Sequence, residues 1–284
     1  MNISLGILFG LISMISWGMS DFFVTKSARG CATIRAFFWS QIVALIIMLP
    51  IFLLFFTLPK FSSQIFVMLF FAGISALISN FAFYKSLETG KVSIVMPIAS
   101  CWAIVTIFIS IVFLEELLTG TNAVGAIFAI IGVILVLFRK HNSAKGKNNS
   151  KGIFYAIIAA LAFGIDFVII DLLANEIGWF LPIFFIGIIN ASLLIIYAGF
   201  RKSNLSFPRN IFSFVILVGV LDTIAYLFYS TSVTMELGAI VAPIAATSPV
   251  ISIILAKIFF KEKIRLIQKI GILFVLAGLV LLSL

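Results

Sequence analysis

The amino-acid sequence predicts an all-α membrane protein with ten transmembrane helices, arranged as two inverted five-helix repeats. Of its 284 residues, 63% are hydrophobic and only 10% are charged, whereas about 25% are charged in a typical soluble domain. Nearly all Lys and Arg residues fall on one side of the predicted membrane, and the chain resembles itself after a shift of 146 residues. The composition alone excludes a soluble enzyme, a secreted disulfide scaffold and a disordered chain.

Ten apolar segments each approach the roughly 20 residues with which a helix crosses a bilayer. They cover residues 4–25, 36–57, 64–85, 92–113, 122–138, 152–171, 179–200, 210–231, 238–259 and 265–283. Their apolar runs do not alternate with polar residues, as the strands of a transmembrane β-barrel would, so helices are favoured. The first segment is longer than the apolar core of a signal peptide, and we expect it to remain in the protein.

Basic residues predict the orientation in the membrane. If the ten helices alternate, 18 of the 19 Lys and Arg residues lie on one side, and only Lys60 lies on the other. The 18 residues are Lys26, Arg29, Arg35, Lys85, Lys91, Arg139, Lys140, Lys145, Lys147, Lys151, Arg201, Lys202, Arg209, Lys257, Lys261, Lys263, Arg265 and Lys269. Because cytoplasmic loops are enriched in Lys and Arg, we expect a protein of the cytoplasmic membrane with both termini outside the cytoplasm.

The net charge of +9 is spread over five short loops. It therefore indicates membrane orientation rather than a surface for nucleic acid. His141 is the only histidine and falls in a basic linker, away from any grouping of metal-ligand residues in the sequence. We expect no nucleic-acid partner, no metal and no cofactor, and the oligomeric state is not specified by the sequence.

The shift of 146 residues aligns the two halves from their first helix to their last. The aligned pairs are Gly6 and Gly152, Gly18 and Gly164, Gly73 and Gly219, Ser86 and Ser232, Pro97 and Pro243, Glu116 and Glu262, Gly125 and Gly271, and Gly132 and Gly278. The repeat predicts a first five-helix unit at residues 1–138, a basic cytoplasmic linker at 139–151 and a second five-helix unit at 152–284. Because five is odd, the second unit enters the membrane from the opposite side, as in many secondary transporters that bind substrate between the repeats.

Motifs at equivalent positions resemble those of EamA-type members of the drug/metabolite transporter superfamily. They are Ser16-Trp17-Gly18 followed by Lys26, then Tyr84-Lys85-Ser86-Leu87 followed by Pro97 and Glu116, and in the second half Tyr229 to Ser232, Pro243 and Glu262. The resemblance covers essentially the whole chain. It implies ten helices around a central cavity, lined largely by helices 1, 3, 4, 6, 8 and 9, and alternating access. The second half departs from the pattern, since Phe163 and Leu172 stand at the equivalents of Trp17 and Lys26.

The substrate does not follow from the resemblance, because family members carry amino acids, sugars, nucleotide sugars, cations and drugs. Three Asp residues within predicted spans are functional candidates, since an ionisable side chain inside a bilayer is costly. Asp222 and Asp166 lie deep in helices 8 and 6, and Asp21 lies in the cytoplasmic half of helix 1. Burial disfavours the charged form of a carboxyl group, so the first two are candidates for protonation during transport. The structural alternative is an Asp satisfied by neighbouring backbone or hydroxyl groups.

Polar and aromatic side chains accompany these acids at helical spacing. Asp222, Tyr226 and Tyr229 share one face of helix 8, and a carboxylate beside aromatic rings suits an amine or a quaternary ammonium group. Asn80 and Tyr84 form an equivalent stripe on helix 3. The remaining candidates for substrate binding are Trp17, Asp21, Trp102 and Asp166. Ordinary helix–helix hydrogen bonding or packing is the alternative role for these side chains.

Pro97 and Pro243 occupy equivalent positions in helices 4 and 9. Proline removes an intrahelical hydrogen bond and clashes with the preceding turn, so it bends a helix. The inverted repeat puts these two bends toward opposite faces of the membrane, where a pair of alternating gates would be required. The alternative is a static kink that shapes helix packing.

The sequence therefore predicts a secondary transporter that moves a small polar metabolite, such as an amino acid or a related compound, by alternating access. Export in exchange for protons is the leading hypothesis, and import or facilitated passage of a cationic metabolite or a sugar is the closest alternative. An intramembrane enzyme and a channel are remote alternatives. An enzyme would need a nucleophile with a base, or a metal site, within the spans, and a channel would need a ring-forming selectivity motif. The sequence shows neither pattern. We expect the partners to be a small-molecule substrate, protons and the lipid bilayer.

Overall fold

The computed structural model describes residues 5–58, 61–113, 120–137, 147–202, 205–236, 238–261 and 264–282. Within these ranges the chain forms twelve α-helices, one short 3₁₀ turn at Arg209–Ile211 and no β-strand. The helices are α1 (Leu5–Cys31), α2 (Thr33–Phe55), α3 (Ser63–Thr89), α4 (Val92–Ala99), α5 (Trp102–Phe113), α6 (Gly120–Leu137), α7 (Lys147–Ile177), α8 (Leu181–Arg201), α9 (Phe212–Val233), α10 (Gly238–Ala245), α11 (Pro249–Phe259) and α12 (Leu266–Leu282). Glu116, Glu262 and residues 139–146 of the predicted linker lie outside the described residues.

Eight segments of the described chain are long and apolar enough to cross a membrane, by length and composition. They are Leu5–Cys31, Thr33–Phe55, Ser63–Thr89, Val92–Phe113, Ser150–Ile177, Leu181–Arg201, Arg209–Val233 and Val241–Phe259. The other two predicted segments correspond to α6 and to α12, whose described apolar stretch Leu266–Gly278 is shorter. These two helices pack against each other.

Two helices extend beyond their predicted boundaries. α1 continues to Cys31 instead of ending near residue 25, and α7 begins at Lys147, inside the predicted linker. Hydropathy indicates where a helix leaves the apolar region, not where its backbone hydrogen bonding stops. The added turn of α1 is held by Arg29, whose Nε and Nη2 donate to the carbonyls of Leu87 and Gly90 at 3.0 and 2.8 Å.

The internal repeat of the sequence is reproduced in the packing of α1 and α7. A Cβ atom at Gly18 would collide with Ile251, and a Cβ atom at Gly164 would collide with Val105. Gly164 follows Gly18 by 146 residues, and Ile251 follows Val105 by the same number. The glycines are therefore required for close helix contact, and the same contact occurs once in each half.

A hydrogen bond across each of these contacts follows the same repeat. Ser252 Oγ donates to the carbonyl of Gly18 at 2.9 Å, and Thr106 Oγ1 donates to the carbonyl of Gly164 at 3.2 Å. Hydroxyl groups that bond the backbone of a neighbouring helix are common where apolar helices pack closely. The two halves thus share both the small residues and the polar bonds of this interface.

The fourth and ninth predicted spans are each divided into two helices, and the two spans run antiparallel. α4 contacts α11, whereas α5 contacts α10, so the first part of one span lies beside the second part of the other. α1 also packs along α9, and α3 packs along α7. Of these eight helices, six line the centre of the protein, where the candidate site lies: α1, α3, α4, α5, α7 and α9.

Candidate functional site

A cavity at the centre of the helices, called the central cavity below, encloses about 560 Å³ of space free of protein atoms. Its lining comes from α1, α3, α4, α5, α7, α9 and the turns that divide the fourth and ninth spans. The predicted residues that line it are Trp17, Asp21, Asn80, Tyr84, Trp102, Asp222 and Tyr226. Carboxyl, amide, hydroxyl and aromatic groups from several helices therefore face one central space.

Aromatic rings form much of the wall. The Trp17 ring lies edge-on to Phe167 and Tyr226, with centroids 5.5 and 5.1 Å apart, and its centroid is 5.6 Å from that of Tyr229. Trp102 packs against the other side of Phe167 at 4.2 Å. Offset and edge-to-face contacts of this kind stabilise ring clusters beyond the burial of their area. The cluster joins α1, α5, α7 and α9 into one rigid wall.

Two carboxyl groups face the central cavity. Asp21 is 5% exposed, and its Oδ2 lies 3.1 Å from Ser252 Oγ, whose one hydroxyl proton is shared between this oxygen and the carbonyl of Gly18. Asp222 is half-buried near the middle of α9 and lies close enough to Asp21 for their negative charges to interact. None of the described residues that line this cavity is Lys, Arg or His. The pair therefore needs a proton or a bound cation to offset its charge.

The polar stripe of α3 is also at the cavity. The Tyr84 hydroxyl and Ser40 Oγ lie 2.9 Å apart and share a hydrogen bond. Asn80 Nδ2 donates to the carbonyl of Ala76 at 2.9 Å, and the amide lies close to the Tyr226 hydroxyl. These bonds fix the two α3 side chains so that they present polar atoms to the cavity.

A second cavity, with about 470 Å³ of empty space, lies on the side of α8. Its polar lining residues are Gln41, Asn80, Asp166, Asn190, Asp222, Thr223 and Tyr226. Three of these, on α3 and α9, also line the central cavity. Asp166 thus lies in the second cavity, apart from the other predicted acids. It is fully buried, and neither carboxyl oxygen has a hydrogen-bond partner among the described groups.

The sequence model of the EamA-like transporter family matches this chain twice, at residues 4–138 and at residues 150–284. The chain belongs to the EamA-like transporter family. Among curated relatives, an "Uncharacterized transporter" of Archaeoglobus fulgidus is 25% identical over 283 residues, which are 99% of this chain and 98% of the relative. "Solute carrier family 35 member G1" of Mus musculus is 24% identical over 270 residues, covering 90% of this chain and 72% of the relative.

A solved structure, titled only "Crystal structure of protein", has the same fold. It matches with a TM-score of 0.71 at 15% identity, and the match covers 97% of this chain and 95% of the other. At this level of identity the likeness concerns the fold alone. The chain is thus a multi-pass membrane protein of a transporter family.

Tyr229 of this EamA-like transporter does not line either cavity, in contrast to its predicted neighbours on α9. Its ring is fully buried behind Phe167, with centroids 4.8 Å apart, and its hydroxyl lies close to Asp171. The expected shared face holds for Asp222 and Tyr226, four residues apart. Tyr229 is on the same side of α9, but it lies about 10 Å further along the helix than Asp222. There Phe167 covers its ring in the contact between α9 and α7.

Pro97 and Pro243 also lie outside the linings of both cavities. Each is followed by a break in its span: α4 ends at Ala99 before α5, and α10 ends at Ala245 before α11. The sequence predicted a bend at each proline, and the structure has a short break in the helix a few residues after each one. In the first break the N–H of Cys101 donates to the carbonyl of Ile98 at 3.1 Å. This bond spans three residues, as in a 3₁₀ helix, instead of the four of an α-helix.

The Cys101 thiol satisfies the carbonyl that this change leaves free, since Sγ lies 3.4 Å from the oxygen of Pro97. The second break has the same tightened pattern, with the N–H of Thr247 bonded to the carbonyl of Ile244 at 3.1 Å. Ser100 and Ser248, one in each break, line the central cavity. The transporter therefore has broken helices at its centre, which is typical of substrate sites in this class of protein.

Lys26, part of the motif that resembles the family, lies away from both cavities. Its ammonium group is 5.1, 4.7 and 5.6 Å from the ring centroids of Phe22, Phe214 and Phe259. Cation–π attraction therefore holds this charge near the end of α1. An anchor for the helix end explains this geometry.

Several lining residues were not predicted from the sequence. Phe167 and Ser248 line the central cavity and are the repeat equivalents of Asp21 and Trp102. Applying the shift of 146 residues to the predicted site would have identified both. Asn190, in the second cavity, had a weaker signal: it is an amide in the middle of segment 183–196, where Ser192 is the one other polar side chain.

Proposed function

We propose that this chain is a secondary transporter that exports a small amine-bearing metabolite, such as an amino acid, in exchange for protons. The observation that carries the proposal is the pair of carboxyl groups, Asp21 and Asp222, between aromatic walls. An ammonium group would offset the charge of the pair, and the Trp17 and Tyr226 rings would attract it further. The pair would repel a phosphate or another anion, because none of the described residues that line the cavity is basic.

Competition for the acidic pair would couple the two fluxes. Two buried carboxylates without any positive charge nearby are unstable in a low-dielectric site, so the pair holds at least one proton or one ammonium group. Amine binding on the cytoplasmic side would release a proton there. Proton binding on the opposite side would release the amine. Exchange follows because the two ligands occupy the same groups in turn.

We also propose the membrane arrangement that this cycle needs. Ten spans would form two inverted repeats, at residues 1–138 and 152–284 around the cytoplasmic linker at 139–151, with both termini outside the cytoplasm. The antiparallel contact between the two broken spans supports the inversion. Pro97 and Pro243 would act as hinges of the two gates, and the adjacent breaks at the cavity support this role.

Uptake of a quaternary ammonium compound is the second candidate function. It is favoured by the edge-on pair of Trp17 and Tyr226, with ring centroids 5.1 Å apart beside Asp222. A permanent cation cannot give up a proton, so its movement would follow the membrane potential instead of the pH gradient. The two functions therefore differ in their driving force.

A thermal-shift screen of the purified protein against amines, amino acids, sugars and nucleotide sugars tests the substrate class, because a ligand of the folded state raises the melting temperature. The proposal expects shifts with amines and none with sugars that lack an amino group. Amine flux into liposomes is then measured with an imposed pH gradient. Flux that ignores the gradient and survives both Asp21→Asn and Asp222→Asn would overturn proton exchange.

A further inference from the structure

The second cavity contains oxygen atoms with no partner. Both carboxyl oxygens of Asp166 and the amide oxygen of Asn190 are buried without a hydrogen bond among the described groups. Asp166 is 0% exposed and Asn190 is 2% exposed. A buried polar group without a partner is destabilising, and a buried carboxylate is more so. Two side chains of this cavity thus have hydrogen-bonding capacity that the described protein groups do not use.

We propose that the second cavity binds a small monovalent cation, either a proton or Na⁺, at Asp166, and that this site is coupled to the central cavity. The inference rests on the proposed function and adds a second cation site to it. Gln41, Asn190 and Thr223 bring further oxygen atoms to the same cavity, and oxygen atoms are the ligands that hard cations prefer. Those residues have no part in amine binding.

None of the described side chains that line the cavity around Asp166 carries a positive charge. Asp222, Tyr226 and Tyr229 approach from α9, whereas α3, α2 and α8 contribute the uncharged Asn80, Gln41 and Asn190. The residues of α5 that contact α7 here, Val105 and Thr106, are also uncharged. Asp21 on α1 and Asp171 on α7 add only negative charge. No described residue that lines this cavity is Lys, Arg or His.

The shared wall provides the coupling. Asn80, Asp222 and Tyr226 line both cavities, and Tyr226 lies close enough to Asp166 and Asp222 to interact with both charges. A cation at Asp166 changes the charge that Asp222 meets, and so it changes the affinity of the central cavity for an amine. By linkage, a bound amine changes the cation affinity by the same factor.

The test measures the melting temperature of the purified protein with the cations alone. Wild type and Asp166→Asn are compared from about pH 5 to pH 9 in NaCl and in CsCl of equal ionic strength, since Cs⁺ is large. Asn190→Ala provides a second disruption of the site, in case Asp166→Asn does not fold. Glu176→Gln is the matched control, because Glu176 is an exposed acid on the same helix and lies outside both cavity linings.

A Na⁺ site predicts that NaCl raises the melting temperature of wild type above its value in CsCl at the upper end of the pH range. A proton site predicts a different response. If folded Asp166 keeps a proton that the unfolded chain releases above about pH 4, stability falls as pH rises, by up to tenfold in the folding constant per pH unit. Asp166→Asn should abolish the Na⁺ response, or make the fall in stability with pH shallower, because the Asp21–Asp222 pair still contributes its own part of the pH response. Asn190→Ala should weaken the same response, and Glu176→Gln should retain it.

Identical cation and pH responses in wild type, Asp166→Asn and Asn190→Ala would overturn the second site. That result would leave the proposed function intact if amines still shift the melting temperature of wild type. Conversely, a cation response without any amine shift would refute the proposed substrate class and keep the cation site. The amine shift should survive in Asp166→Asn, with a changed affinity.

Discussion

Helices α1 and α7 occupy equivalent positions in the repeat, yet they bring different chemistry to the centre of the protein. Their packing is alike, because Gly18 and Gly164 make the same close contact and accept the same kind of hydrogen bond. Their lining residues differ, since Asp21 on α1 has Phe167 as its equivalent on α7. The repeated small residues maintain the fold, and the positions that are not repeated determine where charge is placed.

The acid of α7 is displaced by one position from that of α1. Asp166 is the repeat equivalent of Ser20, not of Asp21. One residue turns a side chain by about 100° around a helix, and Asp166 accordingly lines the second cavity while Asp21 lines the central cavity. A shift of one residue thus separates two acidic sites within a symmetric scaffold.

The largest expected effect is the loss of one carboxylate from the central pair. Asp222→Asn should weaken amine binding by about 100-fold, since truncating one partner of a buried charge pair costs roughly 2–5 kcal/mol. Ligand-induced shifts in melting temperature at graded amine concentration measure this. Asp171→Asn should bind the amine as tightly as wild type does. If Asp222→Asn also binds it as tightly as wild type, Asp222 is not part of the amine site.

A similar loss of stability in both halves is the next expectation. Gly18→Ala and Gly164→Ala should each destabilise the fold by about 1–3 kcal/mol, because the added methyl group overpacks a close helix contact. The thermal unfolding midpoint measures this, with Gly199→Ala as the control, since a Cβ atom there meets nothing within 4 Å. A large effect in one half and none in the other would break the equivalence of the two contacts.

The equivalent hydroxyl groups should separate stability from binding. Ser252→Ala removes a hydroxyl group that is shared between the Asp21 carboxylate and the backbone, so it should weaken amine binding by about tenfold. Thr106→Val removes only the bond to the backbone of α7. It should cost about 1 kcal/mol of stability and leave amine affinity unchanged. If the two variants lost amine affinity equally, the difference proposed here between Ser252 and Thr106 would be contradicted.

The smallest expected effect comes from making the α1 wall resemble that of α7. Trp17→Phe places at this position the residue type that its equivalent, Phe163, already has. It should weaken amine binding by about two- to fivefold, since a weaker cation–π contact costs roughly 0.5–1 kcal/mol. Equilibrium binding measures this, and Trp179→Phe, outside both cavities, should have no effect.

The sequence was sufficient for the transporter family, the repeat and seven of the fifteen residues that line the central cavity. Apolar length and loop charge are local signals, and a spacing of four residues keeps Asp222 and Tyr226 on one helix face. The helix breaks were not predicted, because proline indicates a bend but not where the backbone tightens one turn later. The second cavity was also missed. It forms where α2, α3, α7, α8 and α9 meet, and periodicity within one helix does not predict which helices are neighbours.

The central claim, that amine and proton compete for Asp21 and Asp222, is tested most directly by calorimetry. Titrations of the amine into the purified protein, in buffers of different ionisation enthalpy, give the number of protons released on binding. The account predicts release of about one proton per amine near neutral pH in wild type, by linkage of the two equilibria, and no release in the Asp21→Asn/Asp222→Asn double variant. Amine binding without proton release, at an affinity that the double variant retains, would contradict it.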